Sequence, residues 1–449
     1  RNHINREMSL KKESRNTGKK TVQFQDTNNQ VVYEKGPRAR IFKARESLLT
    51  DLFKDGNARS LYNVFPGIFC LTMVYSALKD YQREGRFYLG TRLIRSAFAK
   101  LDVAMVIWLC MFASSLMVYF IFTLWVRGRR KIEWKGTWDR LFGLVYGLYV
   151  LVSLHLVAIW AVMNNLGPAT CLAIMLEMTR LLMKSHAFVR SNSPKFLENK
   201  QGAFPSVSHY LYFLFAPTLI YSDSYPRTNR IRWGRVVTSF AEVIAIVFMW
   251  SVIVENTYVD YLKDYGKTNY TFLEIITFIV ECNFAGFIMF ILLFYLCHSY
   301  FNGTAELTRF SDRLFYLDWW TAENWDEFLR KWSYFVHEWL HIYIYRDLHG
   351  VLFPGRTLLA KVLVLLLSGY FHDLILCVAS RAFLPLTTIE FLCFVWIRKL
   401  VSNKFMLGLL GMEMSCTITL FMMEYYARIN CPMQTASIIG YVMPRFLYC

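Results

Sequence analysis

LFGLVYGLYVLVSLHLVAIWAVMNNLGPATCLAIML, residues 141–176, runs 36 positions without an Asp, Glu, Lys or Arg. A helix crosses roughly 30 Å of hydrocarbon with about 20 residues, so this stretch is too long for one crossing and long enough for two. Asn164-Asn165-Leu166-Gly167-Pro168 divides it, placing turn formers ahead of a proline suited to a first helical turn. A second uncharged run covers Val103 to Val126, 24 residues. The chain of 449 residues is 55% hydrophobic and 17% aromatic. A soluble chain of this length would be more highly charged and would split into about two or three domains. The pattern is that of a polytopic, all-α membrane protein.

About nine crossings fit it: approximately 61–79, 102–126, 141–163, 168–186, 236–255, 273–300, 357–380, 383–398 and 404–427. Residues 1–57 hold 13 Lys/Arg against 7 Asp/Glu and no apolar core, which predicts a largely disordered cytosolic arm and no cleavable signal. Arg127, Arg129, Arg130 and Lys131 then fall on the cytosolic side, with the polar, basic segments 187–235 and 301–356. The loop 79–100 runs against this rule, carrying six Lys/Arg on the far side. The topology sets a membrane-embedded domain at 58–427 and a lumenal tail at 428–449. It puts the glycosylation sequon Asn269-Tyr270-Thr271 in the lumen and a second, Asn302-Gly303-Thr304, in the cytosol. The net charge of +17 belongs to loops facing anionic headgroups rather than to nucleic-acid binding. Eight of the ten cysteines lie in or beside apolar runs and read as small core residues. Cys431 and Cys449 follow the last helix, where a lumenal setting favours a disulfide over two free thiols.

An ionisable group inside a crossing costs several kcal/mol unless it faces protein or water, which marks such positions as functional candidates. In LLLSGYFHDLIL (365–376), His372 shares a helical stripe with Ser368 and Lys361. A neutral imidazole there is fit to take a proton from an attacking hydroxyl. It is equally fit to hydrogen-bond a neighbouring helix. In FYLDWWTAENWDEFLRKWSYFVHEWLHIYIYRDL (315–348), Ser333, His337, His341 and Tyr345 recur every four residues after Trp332, on a helix half-sunk in the interface or lining a cavity. Arg330, Lys331 and Arg346 near its ends either meet phosphate groups or snorkel to headgroups. His337-Glu338-Trp339-Leu340-His341 also spells the H-E-x-x-H pair and base of zinc proteases. That reading needs a third ligand, for which Asp373 or His372 is available only if the helices meet. A transporter would bury polar groups at mid-membrane too, often with internal repeats, and the halves of this chain show none.

Longer runs resemble one family. LYFLFAPTLIYSDSYPRTNRIRWG (211–234), MKSHAFVR (183–190), FSDRLFYLDWW (310–320), VHEWL (336–340) and the tail from YYARINCP to Cys449 are similar to segments of the sterol O-acyltransferases (acyl-CoA:cholesterol acyltransferases), within the membrane-bound O-acyltransferase superfamily. The resemblance covers nearly all of the chain after residue 40. It implies that superfamily's fold, with cytosolic helical segments and an internal substrate tunnel. It implies transfer of a long-chain acyl group from acyl-CoA, a co-substrate, to the 3β-hydroxyl of a sterol, with no metal or other cofactor. A diacylglycerol acyltransferase is the nearest alternative. Catalysis is assigned to His372, followed by Asp373 where Glu is common, with Ser333 and Trp332 orienting the reacting groups. Ser368, Trp320, His337, His341, Tyr345, Arg330, Lys331 and Arg346 are then expected to contact substrate. Thr321 and Ser333 depart from the family, which generally has Asn at both places; a serine hydroxyl still donates and accepts but reaches less far. The tail also resembles the family in the spacing of its Cys431 and Cys449 pair. A homo-oligomer, dimer or tetramer, in the endoplasmic reticulum membrane is implied as well, with sterol, acyl-CoA and membrane lipid as partners.

Overall fold

The computed structural model describes residues 40–197, 204–397, 403–431 and 443–449. Among them the regular structure is helical, with two isolated bridge pairs and no strand. After α1 (Leu48–Leu52) come α2 (Gly56–Glu84), α3 (Thr91–Ala97) and α4 (Leu101–Lys131). α5 (Lys135–Met163) and α6 (Pro168–Leu197) form the hairpin that the 141–176 stretch predicts, with Pro168 opening α6. α7 (Val207–Phe215) is short, and α8 (Trp233–Ile253) continues through a π-helical turn to Leu262. α9 (Phe272–Leu307) starts on a capping box, Thr271 and Glu274 each satisfying the other's backbone amide. α10 (Trp325–Trp332) and α11 (Tyr334–Trp339), with the π-helical continuation Leu340–Tyr345, carry the tryptophan- and histidine-rich segment. α12 (Thr357–Ser380), α13 (Leu386–Ile397) and α14 (Asn403–Asn430) follow.

Six of these helices are long and apolar enough to cross a bilayer: α2, α4, α5, α8 with its extension to Leu262, α9 and α12. The chain is a multi-pass membrane protein. The other three expected crossings fall on α6, α13 and α14, which do not meet the same measure among the described residues. α6 carries Glu177, Arg180 and Lys184, and α13 has 12 residues. Nine therefore remains the count read from sequence. Helix ends overrun the predicted bounds; α4 reaches Lys131, bringing Arg129, Arg130 and Lys131 into its last turn, where they complement the helix dipole. On α5, Leu154, Val157, Ala158 and Ala161 are buried while Leu144, Leu148 and Leu151 stay exposed, one face for protein and one for lipid.

The helices pack in two groups, α4 to α7 with α12 and α13, and α2, α8, α9 with α14. Three aromatic residues join them: Phe42, Tyr225 and Phe335 pack against both the core around Phe122 and Phe188 and the core around Phe315 and Trp319. The polar group on α6 that sequence reasoning passed over, Lys184, is fully buried and donates to the carbonyls of Phe213, Leu214 and Ala216 at 2.5–3.1 Å. It thereby satisfies the carbonyl end of α7.

The expected disordered arm does not extend to residue 57. Arg40 and Arg45 pair with the buried Asp312, and Glu46 pairs with Arg232, Arg235 and Arg313. Phe42 stands edge-on to Tyr225 at 5.1 Å. The charges that composition counts as solubilising are here neutralised in pairs, so the segment folds onto the 306–313 turn. Residues 1–39 lie outside the described residues. The cysteines also divide: Cys171 and Cys282 are core residues, whereas Cys70, Cys110, Cys393 and Cys416 are exposed. A side chain as small as this fits a lipid-facing position as well as a core one. Asn302 of the second sequon is buried and bonded to Ser47 and the His298 carbonyl. Asn269 is exposed. Cys431 and Cys449 form a disulfide, packed on Gly266, whose φ of +81° and missing Cβ make room for the two sulfurs. Asn430 holds the same loop by donating to the carbonyls of Lys263 and Tyr265.

Candidate active site

Three histidines lie within the six membrane-capable helices, and their surroundings differ. His298 on α9 is buried, with its Nδ1 at 2.6 Å from the Tyr316 hydroxyl. His155 on α5 uses both ring nitrogens, Nδ1 donating to the Leu151 carbonyl at 2.6 Å and Nε2 accepting from the Tyr370 hydroxyl. His372 on α12 is exposed and makes one hydrogen bond among the described residues, from Nδ1 to the Ser368 carbonyl at 2.7 Å. A carbonyl only accepts, so Nδ1 carries a proton, and Nε2 has no hydrogen-bond partner among the described residues. Of the three, His372 alone offers a free basic nitrogen at a reachable surface. Ser368 contributes this carbonyl one turn away, and its side chain is half-buried. Lys361 is exposed on the same helix.

The 333–349 segment forms a second array. Ser333 does not continue one helix from Trp332, as the spacing predicts; at φ −128° and ψ 72° it breaks the chain between α10 and α11. Its carbonyl accepts from the amides of Val336 and His337, and its hydroxyl has no hydrogen-bond partner among the described residues. Beyond the break the four-residue period holds as a ladder of near-parallel rings: His337 to His341 at 6.4 Å, His341 to Tyr345 at 5.5 Å, and Tyr345 to His349 at 5.6 Å. His349 belongs to this row and was missed, although the same spacing reaches it. The opposite face is fastened to α6. Trp339 donates to the Met183 carbonyl at 2.9 Å, the Tyr343 hydroxyl meets Ser191 at 2.9 Å, and Arg190 clasps Asp347 with two bonds at 2.7 and 2.8 Å.

Burial, then the charges of His341 and Arg330, pushes His337 down to about 4. Burial and Arg346 lower His341 as well. Both rings are therefore neutral near pH 7 and can accept a hydrogen bond. Arg330 and Arg346 have no ion pair among the described residues, which leaves them open to an anionic group. Lys331 is not open: it bridges Asp318 at 3.2 Å and Glu327 at 2.8 Å, tying α10 to the Trp-Trp turn. Thr321 occupies that turn too, its hydroxyl on Asp318 at 2.7 Å. Trp320 is half-buried. Trp332 stacks on Phe290 at 4.8 Å and stands edge-on to Trp319 at 4.8 Å. Among the described residues no hydrogen bond or ring contact joins His372 to Ser333 or Trp332; α12 instead packs beside the 340–345 π-helix, α6 and α13.

The H-E-x-x-H spelling has a different use here. Glu338 pairs with Arg40 and accepts from the Tyr334 hydroxyl at 3.1 Å, while Arg40 also lies over the Tyr334 ring. The carboxylate that would serve as a protease's base holds the N-terminal segment down instead. The described residues include no group of three His, Cys, Asp or Glu arranged to hold a metal ion.

His372 thus lies on one of the membrane-capable helices, α12, which packs beside the π-helical stretch of the histidine-rich segment. The chain belongs to the membrane-bound O-acyltransferase family, which matches residues 101–416. It is 31% identical over 429 residues to sterol O-acyltransferase 1 of Mus musculus, covering 92% of this chain and 79% of that protein. Similarity to sterol O-acyltransferase 2 of Homo sapiens is 32% over 429 residues, covering 92% and 81%.

Proposed function

We propose that this enzyme transfers a long-chain fatty acyl group from acyl-CoA to the 3β-hydroxyl of a sterol, in the endoplasmic reticulum membrane and as a homo-oligomer. The observation that carries the chemistry is the open Nε2 of His372, set by the Nδ1–Ser368 bond. The similarity to sterol O-acyltransferases supports the substrate pair.

In this reaction Nε2 takes the hydroxyl proton as the sterol oxygen attacks the thioester carbonyl. The carbon–oxygen bond forms, the carbon–sulfur bond breaks, and the imidazolium returns the proton to the departing CoA thiolate. No acyl-enzyme is required, because holding both substrates side by side in an apolar site converts a two-body encounter into a unimolecular step. Ser333, whose hydroxyl has no hydrogen-bond partner among the described residues, and the stacked Trp332 orient the reacting groups. His337, His341, Tyr345, Trp320 and Ser368 line its path. Arg330 and Arg346 meet the phosphates of CoA; Lys331, already paired, shapes the turn beside them.

Expression in cells lacking sterol esters, followed by neutral-lipid analysis, tests the acceptor. Sterol esters are the expected product. Triacylglycerol in their place would make diacylglycerol the acceptor, and neither product would overturn the acyltransfer reading.

A further inference from the structure

Asp373 stands next to the proposed base, yet its carboxylate serves another helix. It is 5% exposed. It accepts from the Thr387 amide at 2.8 Å and the Thr388 amide at 2.9 Å, in the first turn of α13. Those amides have no partner within their own helix. Pro385, immediately ahead of α13, has no side-chain acceptor, so the cap arrives from α12. A carboxylate at this point also faces the positive end of the helix dipole. One turn earlier, Gly369 marks the closest approach of the two helices: a Cβ there would lie 2.7 Å from Thr388 Oγ1 and 2.8 Å from Thr388 Cα. α13 is thus pinned to α12 at two neighbouring points. One turn further along α13, the Phe391 ring stands edge-on to the His372 imidazole, with centroids 5.8 Å apart and planes at 69°.

We infer that Asp373 is a positioning residue for His372, fixing the imidazole through the cap on α13 and the Phe391 ring that α13 carries. The inference rests on His372 being the base. Among the described residues His372 is held by a single hydrogen bond, to its own helix, and a ring so held can tilt about that bond. The edge contact with Phe391 limits the tilt and so aims Nε2. Where Phe391 sits is decided by where α13 begins, and Asp373 and Gly369 decide that. Adjacent residues diverge by about 100° around a helix, which lets His372 face the reaction while Asp373 faces α13.

The test uses the full chain in proteoliposomes, with Asp373→Asn, Phe391→Ala, the double variant and Asp373→Glu. Asparagine keeps one acceptor oxygen and turns an N–H toward the second amide, so the cap is half lost. Per folded enzyme, kcat of Asp373→Asn is expected to fall by about 10- to 100-fold, the cost of roughly 1 Å of misplacement, with KM for acyl-CoA unchanged. Asp373→Glu, with both oxygens, should recover part of the loss. The double variant should be no slower than the slower single variant, because both act through one ring. A merely structural role would reduce the yield and Tm and leave kcat per folded molecule at the wild-type value, which overturns the inference, as do losses that multiply. Should Asp373→Asn not fold, Phe391→Ala leaves the cap intact and decides the question: wild-type kcat refutes the link. His372→Ala separates the two readings. If it is active, the base assignment fails; if it is inactive while Asp373→Asn and Phe391→Ala keep wild-type kcat, the positioning role alone fails.

Discussion

Replacing His372 by alanine separates chemistry from folding because the imidazole does little structurally. Among the described residues its one hydrogen bond is to the Ser368 carbonyl of its own helix, and its ring is exposed. The loss is the edge contact with Phe391, about 0.5–1.5 kcal/mol for an aromatic pair. Alanine's better helix propensity returns up to about 0.7 kcal/mol. The net structural change is therefore within about 1 kcal/mol. A general base contributes about 100- to 10,000-fold in rate, which is about 2.7–5.5 kcal/mol of barrier. The catalytic loss thus exceeds the structural one several-fold, and the two are read separately. Purified His372→Ala should show a Tm close to wild type and an unchanged KM for labelled acyl-CoA, with kcat for sterol ester formation near background. A folded variant that keeps more than about a tenth of the wild-type rate refutes the mechanism. The ring ladder at His337 and His341 would then be the place to seek the base.

Four further expectations follow from particular contacts. Ser333→Asn lengthens a side chain whose hydroxyl has no partner among the described residues, so kcat should hold or rise if it orients the reacting groups; a fall or a changed acceptor in a competition assay would show a site reshaped around serine. Arg40→Ala strips the partner from Glu338 and one of two from the buried Asp312, and should lower stability by about 3 kcal/mol and speed proteolysis at residues 40–55, measured by denaturation in detergent. His337 has a folded pKa of about 4 against about 6.5 unfolded, so the unfolded chain binds the proton first; stability present at pH 7 should decline from about pH 6.5 toward 4, and His337→Asn should flatten that decline in a Tm–pH series. Cys431→Ser opens an 18-residue separation and should cost about 3 kcal/mol, read as a reduced Tm that matches the reductant-treated wild type.

What local sequence determined is what one helix can express by itself. A 36-residue uncharged run divided by Asn164-Asn165-Leu166-Gly167-Pro168 reads as two helices, because it is too long for a single crossing, and α5 and α6 form there. The ring ladder was legible because a four-residue period returns to one face, and it survives even where the backbone widens into a π-helix. The tertiary structure decided everything that depends on a partner far along the chain. Glu338 reads as a protease base until Arg40, 298 residues away, is found against it. Lys331 reads as a phosphate ligand until Asp318 folds back to it. Asp373 and Thr387 are separated by a helix end and a turn, so nothing periodic links a buried carboxylate to the amides it caps. His155 and His372 are alike in sequence, each bonded to the carbonyl four residues back, and a tyrosine hydroxyl on a neighbouring helix occupies Nε2 of one and leaves the other free. Hydrophobic length and helical period are properties of a segment, whereas which lone pair stays open is a property of the packing around it.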